Sequence, residues 1–511
     1  MITGHATTEA TAVFADRSNT PPGFCSLGRT GLKASRAGFG GYRVGAGVVR
    51  HQEALTAALR SGINLIDTSA NYADGGSESL VGQVLQDLTA AGEVDRQQAI
   101  IISKVGYLQG ENFALSQHRK SEGRPFQDLV EYGKGLEHCI HPEFIEDQLT
   151  RSLTRLNLQT LDGYLLHNPE YYLGWAKKNG ISLEESRTEY YRRIRSAFEH
   201  LETEVEKGRI RFYGISSNTF PNAADDPEFT GLETVWQIAE SVSSGHHFCL
   251  VQMPFNLLES GAVLERNQPG GKSVLSFAAG KDLGVLINRP LNAFAGGRLL
   301  RLADPAQTER MDTNEVIETI RQLAKSESRL WRTILPRLDI PEGLKNRVKQ
   351  QNEIADSLKH YWKNFGSYEG FRQAKDGVFL PRVQGVLDFL QPHGQNDPEL
   401  GEWLTSHSRR LGQAFEAVGS IYVEEAARVL NRIRYAVDEA DPDWKQAETL
   451  SQKAIRALRS TSGVSSVLVG MRETGYVKDV LAELERPVAQ ADRRDSWEKL
   501  TQALAEKDGA I

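Results

Sequence analysis

Cysteine, methionine and long apolar stretches are all scarce in this 511-residue chain. Its three cysteines, Cys25, Cys139 and Cys249, are odd in number and far apart. They compose neither a disulfide framework nor a zinc-ligand pattern, so no metal is expected, and a reducing, cytoplasmic setting is. No apolar run approaches the roughly 20 residues that cross a bilayer, and the first 22 residues lack a basic start followed by a hydrophobic block. A soluble, unprocessed protein with no membrane partner is the expectation. Surplus positive charge is missing too: 60 Lys and Arg stand against 67 Asp and Glu, a net charge of −7, which leaves no electrostatic footprint for nucleic acid. Segment 1–22 is polar, Thr-rich and closed by Pro21 and Pro22, and reads as a flexible N-terminal arm.

What the chain has in abundance is alternation. From Ser35 to Pro290, short β-rich runs follow helical patterns in turn: ALTAALRSG then INLID, SESLVGQVLQDL then AIIISK, FIEDQLTRSLTRL then LDGYLLH, SAFEHLETEVEKG then RIRFYGISS, LETVWQIAESV then FCLVQMPFN, and SVLSFAAGKDLG then VLINRP. In FIEDQLTRSLTRL, Ile145, Leu149, Leu153 and Leu156 form an apolar stripe, and Phe144, Gln148 and Ser152 form a second row. Ser77 before Glu78 reads as a helix N-cap. Repeated strand and helix units imply parallel strands, because each return needs a crossover. With GFGGYRV at the start and SSVLVG at the end the count is eight strands, which favours an α/β fold of the closed (β/α)8 TIM barrel type over an open doubly wound sheet. GFGGYRVGAG does not spell a dinucleotide fingerprint, since Arg43 stands where G-x-G-x-x-G requires its third glycine.

The rhythm breaks between Pro290 and Val464, where roughly 170 residues replace a unit of about 30. Val316, Ile317, Ile320 and Leu323 share a helix face there, Asp312 with Glu315 resembles a capping box, and SIYVEEAARVLNRIRYAV is amphipathic. The expected organisation is the arm over 1–22, barrel strands one to seven over 23–302, a large helical insertion over 303–448 between strands seven and eight, and the closing helix, strand eight and C-terminal helices over 449–511. Loops 106–141 and 168–189 are enlarged as well, and barrel active sites lie at the strand C-termini from which such segments emerge. His246 and His247 are expected to face solvent, and Cys249 to pack in a strand.

Four residues end apolar runs: Asp67 and Tyr72 in INLIDTSANY, Lys104 in AIIISKVG and His167 in LDGYLLHN. A carboxylate, a phenol, an ammonium and an imidazole are suited to deliver a proton to a carbonyl oxygen while a hydride reaches its carbon. An unperturbed phenol has a pKa near 10, and a neighbouring ammonium such as Lys104 favours its phenolate and lowers it. None of the four supplies a hydride, so a nicotinamide cofactor is required.

In these motifs the chain resembles the aldo-keto reductase superfamily. The likeness runs from SLGRTGLKASRAGFGG through DTSANY, the ISK strand and YLLHNP to GISSN, VQMPFN, RPL and VSSVLVGMR, and leaves out the arm and most of the insertion. The resemblance implies a barrel that binds NADPH, with NADH as the other option, and a catalytic tetrad of Asp67, Tyr72, Lys104 and His167. By the same resemblance Ser216 and Gln252 contact the nicotinamide carboxamide. The family usually has asparagine directly after that serine; here Ser217 intervenes before Asn218, and either is a candidate. Arg289, Pro290 and Leu291 resemble the turn along the pyrophosphate, with Asn288 where the family commonly has a stacking aromatic. Gly470 and Arg472 resemble the 2'-phosphate site, and Tyr476 and Asp479 the adenine contacts. Tyr42, Arg43 and Tyr107 are candidates for the substrate pocket. Phe113, Tyr171, Tyr172 and Trp175 fit either the pocket or loop packing, and Gly40 and Gly41 either cofactor approach or tight backbone packing. The resulting expectation is an NADPH-dependent reductase acting reversibly on a small aldehyde or ketone. The alternative is a redox-sensing regulatory protein that keeps barrel and cofactor and uses the insertion to bind a partner, or a second copy of the chain.

Overall fold

Eight short strands hydrogen-bond in a closed ring: β1 (Ala37–Gly40), β2 (Leu65–Asp67), β3 (Ile100–Val105), β4 (Leu161–His167), β5 (Ile210–Ser216), β6 (Phe248–Pro254), β7 (Gly284–Asn288) and β8 (Ser466–Val469). All eight neighbouring pairs are parallel, and β8 closes the ring between β7 and β1. The computed structural model describes residues 1–17, 23–295, 298–304, 311–395 and 397–505. The fold is the expected (β/α)8 barrel, and closure rules out the open sheet. No described helix is long and apolar enough to cross a membrane.

The strands are β-branched and leucine-rich because most are buried on both faces; β2, β3, β4 and β6 have no exposed residue. Side chains alternate in and out with period two. Leu65, Ile100, Ile102, Leu165, Leu250, Leu286 and Leu468 fill the inside as one cluster, joined from below by Leu27 and Leu32 of the antiparallel hairpin Phe24–Ser26 and Lys33–Ser35. Gly214 makes room for this packing, since a Cβ there would lie 1.9 Å from the Leu250 carbonyl oxygen.

Three local expectations need correction. Segment 1–22 contains a helix, Thr8–Arg17, and is tied down by the Ala6 N–H donating to Asp162 Oδ1 at 2.6 Å; Pro21 and Pro22 lie outside the described residues. Ser77 is not an N-cap. The helix starts at Gly76 after Gly75, which has φ 85°, and the Ser77 hydroxyl instead donates to the Gly41 carbonyl. His246 is buried edge-on against Trp236, with ring centres 4.8 Å apart, because an indole covers what the polar SSGHH context suggested was open. Cys249 is buried in β6.

The chain divides into two compact units, residues 1–291 with 436–507, and residues 292–435. These limits depart from 302/303 and 448/449 for physical reasons. Asn292–Ala295 and Arg298–Arg301 form a hairpin within the second unit. Segment 441–448 belongs to the first, where Trp444 packs on Trp497 (ring centres 4.9 Å apart) and Asp441 pairs with Arg493. The second unit is helical, with one core around Val316, Leu323, Leu358 and Val418 and another around Leu330, Leu390 and Trp403. Its helix Thr313–Arg329 opens on the expected capping box of Asp312 and Glu315.

Candidate active site

Asp67, Lys104, His167, Gln252 and Asn288 each sit two positions beyond an inward-facing core residue: Leu65, Ile102, Leu165, Leu250 and Leu286. Period-two alternation therefore points all five into the barrel, one layer above the apolar filling, at the C-terminal ends of their strands. Register completes the layer, with His167 opposite Ser216 and Ser216 opposite Gln252 on adjacent strands. Residues scattered from position 67 to position 288 thus become neighbours.

At the centre is a buried ion pair. Lys104 Nζ donates to Asp67 Oδ2 at 2.7 Å and to the Thr68 carbonyl at 2.9 Å, and reaches Tyr72 Oη at 3.4 Å. Lys104 is fully enclosed. Burial disfavours its charge, but Asp67 and Tyr72 outweigh that and hold the ammonium above the usual lysine range. The Tyr72 phenol behaves differently from the expectation. Burial pushes it above the ordinary value, and the attraction of Lys104, though present, is the smaller effect. Tyr72 is thus a protonated donor at neutral pH.

His167 lies edge-on to Tyr72, with ring centres 5.8 Å apart. Burial, then Lys104 and His138, depress it well below the ordinary histidine value, so the ring is neutral. Its Nδ1 is 3.1 Å from Ser69 Oγ, which in turn donates to Asn71 Oδ1 at 2.6 Å. His138 Nε2 donates to the His167 carbonyl at 2.7 Å. That contact passes where a Cβ on residue 106 would stand 2.6 Å from His138 Nε2, which explains Gly106. Ser69, Asn71 and His138 escaped the sequence reading. Ser69 lies inside the DTSANY motif but has no periodicity of its own, and His138 comes from a small antiparallel sheet within loop 106–141.

Gln252 Nε2 donates to Asp67 Oδ1 at 2.8 Å, and its Oε1 accepts from Ser216 Oγ at 3.1 Å. One N–H and one lone pair of this amide remain to be used. Asn288 Oδ1 is buried and accepts no hydrogen bond among the described residues. Together these groups are complementary to an amide-bearing ligand. The Ser217 hydroxyl is spent in a buried cluster with Thr219 and Thr230. The Asn218 backbone N–H donates to Glu170 Oε1, while its side chain makes no hydrogen bond among the described residues. Glu170 is itself buried, its other oxygen accepting no hydrogen bond among the described residues, and desolvation raises it to about 7.

Tyr42 is exposed and packs edge-on against Tyr72 at 5.3 Å between ring centres, with the Arg43 guanidinium over its ring. Tyr107 meets His167 at 4.7 Å and accepts from Asn168 Nδ2 at 2.6 Å. Tyr171 packs on Tyr107, whereas Tyr172 lies under the Arg193 guanidinium and beside Trp175, as loop packing. Phe113 belongs to the helix Gly110–Ser121 of loop 106–141. Arg289, at φ 51°, pairs with Glu259 at 2.9 Å, next to buried Pro290 and Leu291. Beyond β8, Gly470 has open space on its Cβ side, Arg472 is half-buried with its charge acting on His51, and Tyr476 is half-buried in the first turn of helix Thr474–Leu484. Asp479 lies one turn further along the same helix. Its carboxylate accepts from Thr449, Ser451 and Gln452 and so secures the start of helix Leu450–Arg459.

The model of the Aldo/keto reductase family matches residues 38–329. An NADH-specific methylglyoxal reductase of Escherichia coli is 30% identical over 149 residues, covering 28% of this chain and 40% of that protein. An L-galactose dehydrogenase of Arabidopsis thaliana is 35% identical over 125 residues, 23% of this chain and 38% of that protein. The chain thus spans about two fifths of the length of these curated relatives. Among solved structures, the holo form of an aldo-keto reductase from Bacillus halodurans aligns over 94% of this chain and 96% of that one, at 16% identity and a TM-score of 0.46.

Proposed function

The chain belongs to the aldo/keto reductase family, and from that premise we propose that it is a nicotinamide-dependent oxidoreductase that interconverts a small aldehyde or ketone and its alcohol. The observation that carries this reading is the Lys104 ammonium held by Asp67 and directed at the Tyr72 hydroxyl. A reduced nicotinamide, when bound, supplies the hydride. The free amide functions of Gln252 and Asn288, in the same inward layer, suit its carboxamide. Asn218 is preferred over Ser217 as a further contact because the Ser217 hydroxyl is already committed.

Tyr72 is the proton donor. Its raised pKa keeps it protonated until negative charge develops on the substrate oxygen, and Lys104, 3.4 Å away, then stabilises the phenolate. Asp67 neutralises Lys104 and fixes its position in a site closed to water. His167 is neutral and oriented through Nδ1 by Ser69; when the Ser69 hydroxyl proton turns from Asn71 Oδ1 to Nδ1, the ring's own proton sits on Nε2, which hydrogen-bonds the carbonyl oxygen as charge builds up. Tyr42 and Tyr107, whose rings meet Tyr72 and His167, wall the substrate space.

Arg472 is the residue suited to a 2'-phosphate, since a guanidinium fork matches a phosphate dianion. This favours NADPH, although the Escherichia coli relative is named for NADH. The test is cofactor oxidation with a panel of small carbonyls, comparing wild type with Tyr72→Phe. Turnover reduced by roughly 10² or more in the variant, with cofactor affinity retained, is expected. Equal rates would refute the assignment. Cofactor binding without turnover of any carbonyl would instead favour the sensor.

A further inference from the structure

The helical unit contains a cavity of about 580 Å³ between helix Thr313–Arg329 and helix Ile354–Tyr361, with walls that include Ile317, Ile320, Trp331, Ala355 and Trp362. Its volume falls within the range of small-molecule sites, roughly 300–1,000 Å³. Among the polar residues of the wall, Glu327 is the buried one, 2% exposed. Glu327 Oε1 accepts from the backbone N–H groups of Ile354 at 3.0 Å and Ala355 at 2.9 Å, and so caps the second helix. A cap needs only that oxygen. Oε2 accepts no hydrogen bond among the described residues, and burial together with Glu353 and Asp356 raises this carboxyl to about 8.

The lining selects by charge. Glu353 and Asp356 join Glu327 in the walls, against Lys359 and an Arg321 already paired with Glu318. An anion would meet the Glu353 and Asp356 carboxylates beside Glu327, and an uncharged apolar ligand would leave Glu327 Oε2 without a donor. A hard metal ion wants six or more oxygens, whereas much of this wall is indole and aliphatic. Indole faces attract ammonium groups, and both of these indoles do so already: Lys363 Nζ lies 4.7 Å from the Trp362 ring centre and Lys349 Nζ 6.0 Å from that of Trp331, and neither lysine lines the cavity.

We propose that this cavity binds a small organic cation, an ammonium group on an apolar or aromatic body, with the ammonium donating to Glu327 Oε2 and the body against Trp331 and Trp362. The site lies wholly within residues 317–362 and is independent of the carbonyl chemistry proposed for the barrel.

The test uses the full chain at pH 8 and phenethylammonium as the probe, with 2-phenylethanol and phenylacetate as its uncharged and anionic counterparts, read by calorimetry and tryptophan fluorescence. Saturable binding of the ammonium, about tenfold or more tighter than the alcohol, is expected. Glu327→Gln keeps a carbonyl oxygen for the Ile354 and Ala355 N–H groups, and should weaken the ammonium about tenfold or more through the lost charged hydrogen bond. Trp331→Ala, at a half-buried position, and Glu353→Gln, which removes wall charge without touching the cap, should each weaken it several-fold and decide the matter should Glu327→Gln fail to fold. Equal affinity for ammonium and alcohol, tighter binding of phenylacetate, no saturation, or affinity unchanged in the variants that fold would each overturn the proposal.

Discussion

Replacing Asp67 with asparagine should destabilise the barrel more than a single isosteric change normally does. At 2.7 Å and an effective dielectric constant of 20, the Asp67–Lys104 attraction is about 6 kcal/mol in gross terms, most of it offset by the cost of taking both ions out of water. Asp67→Asn removes the attraction and leaves the desolvation of a fully enclosed ammonium. A cost of about 3–5 kcal/mol follows, or roughly 4–7 °C in the melting temperature of the barrel's unfolding step. The pH dependence has a definite sign. Lys104 is raised in the folded state, so the pair's contribution is complete below the ordinary lysine pKa and is lost as pH climbs through the folded value. In Asp67→Asn the lysine falls instead, and the variant's deficit should shrink as alkalinity strips the proton from Lys104. Thermal and urea unfolding of wild type, Asp67→Asn, Lys104→Met and the double variant at pH 6, 8 and 10 form the assay. The double variant should recover a large part of the loss, since it contains no orphaned buried charge. An Asp67→Asn protein as stable as wild type, or a double variant no more stable than Asp67→Asn, would refute the reasoning.

Ser69→Ala should leave stability within about 1 kcal/mol but lower kcat roughly tenfold with little change in KM, because Ser69 sets the His167 ring without touching substrate; an unchanged kcat would remove it from the machinery. Arg472→Ala should weaken NADPH about tenfold or more and NADH hardly at all, measured by fluorescence titration of both cofactors, and equal losses would contradict a phosphate-binding role. Glu170→Gln should stabilise the protein above pH 7 relative to pH 4. Its carboxyl is raised to about 7 by burial, so the wild type loses stability as pH rises from the unfolded value toward 7, by at most about 3 kcal/mol, and the amide escapes that loss. Unfolding free energies at the two pH values check the sign, and a variant less stable at high pH would show that Glu170 works as an anion.

The barrel and the positions of Asp67, Lys104 and His167 were legible in the sequence because each ends an apolar run, and a strand that packs leucine or isoleucine inward places the residue two positions later on the same side; Gln252 obeys the same rule but was reached through the family resemblance. The protonation state of Tyr72 was not legible. The sequence pairs a phenol with a lysine and so suggests a lowered pKa, whereas the folded site adds desolvation, which is a property of everything around the pair and wins. His246 went astray for the same reason: it looked available because its sequence neighbours are polar, and it is covered by Trp236, ten positions away. The hydrogen bonds that the Asp479 carboxylate accepts from the Thr449–Gln452 turn were equally illegible, since those partners are 27 to 30 positions away. Local pattern therefore identifies which atoms reach the barrel mouth, while their charge state and freedom depend on second partners drawn from loops without periodicity. Ser69 and His138, both bound to His167, are partners of this kind, which is why a substitution at Ser69 probes the proposed chemistry more sharply than another removal of a tetrad residue would: it alters the orientation of the imidazole while every group that reacts stays in place.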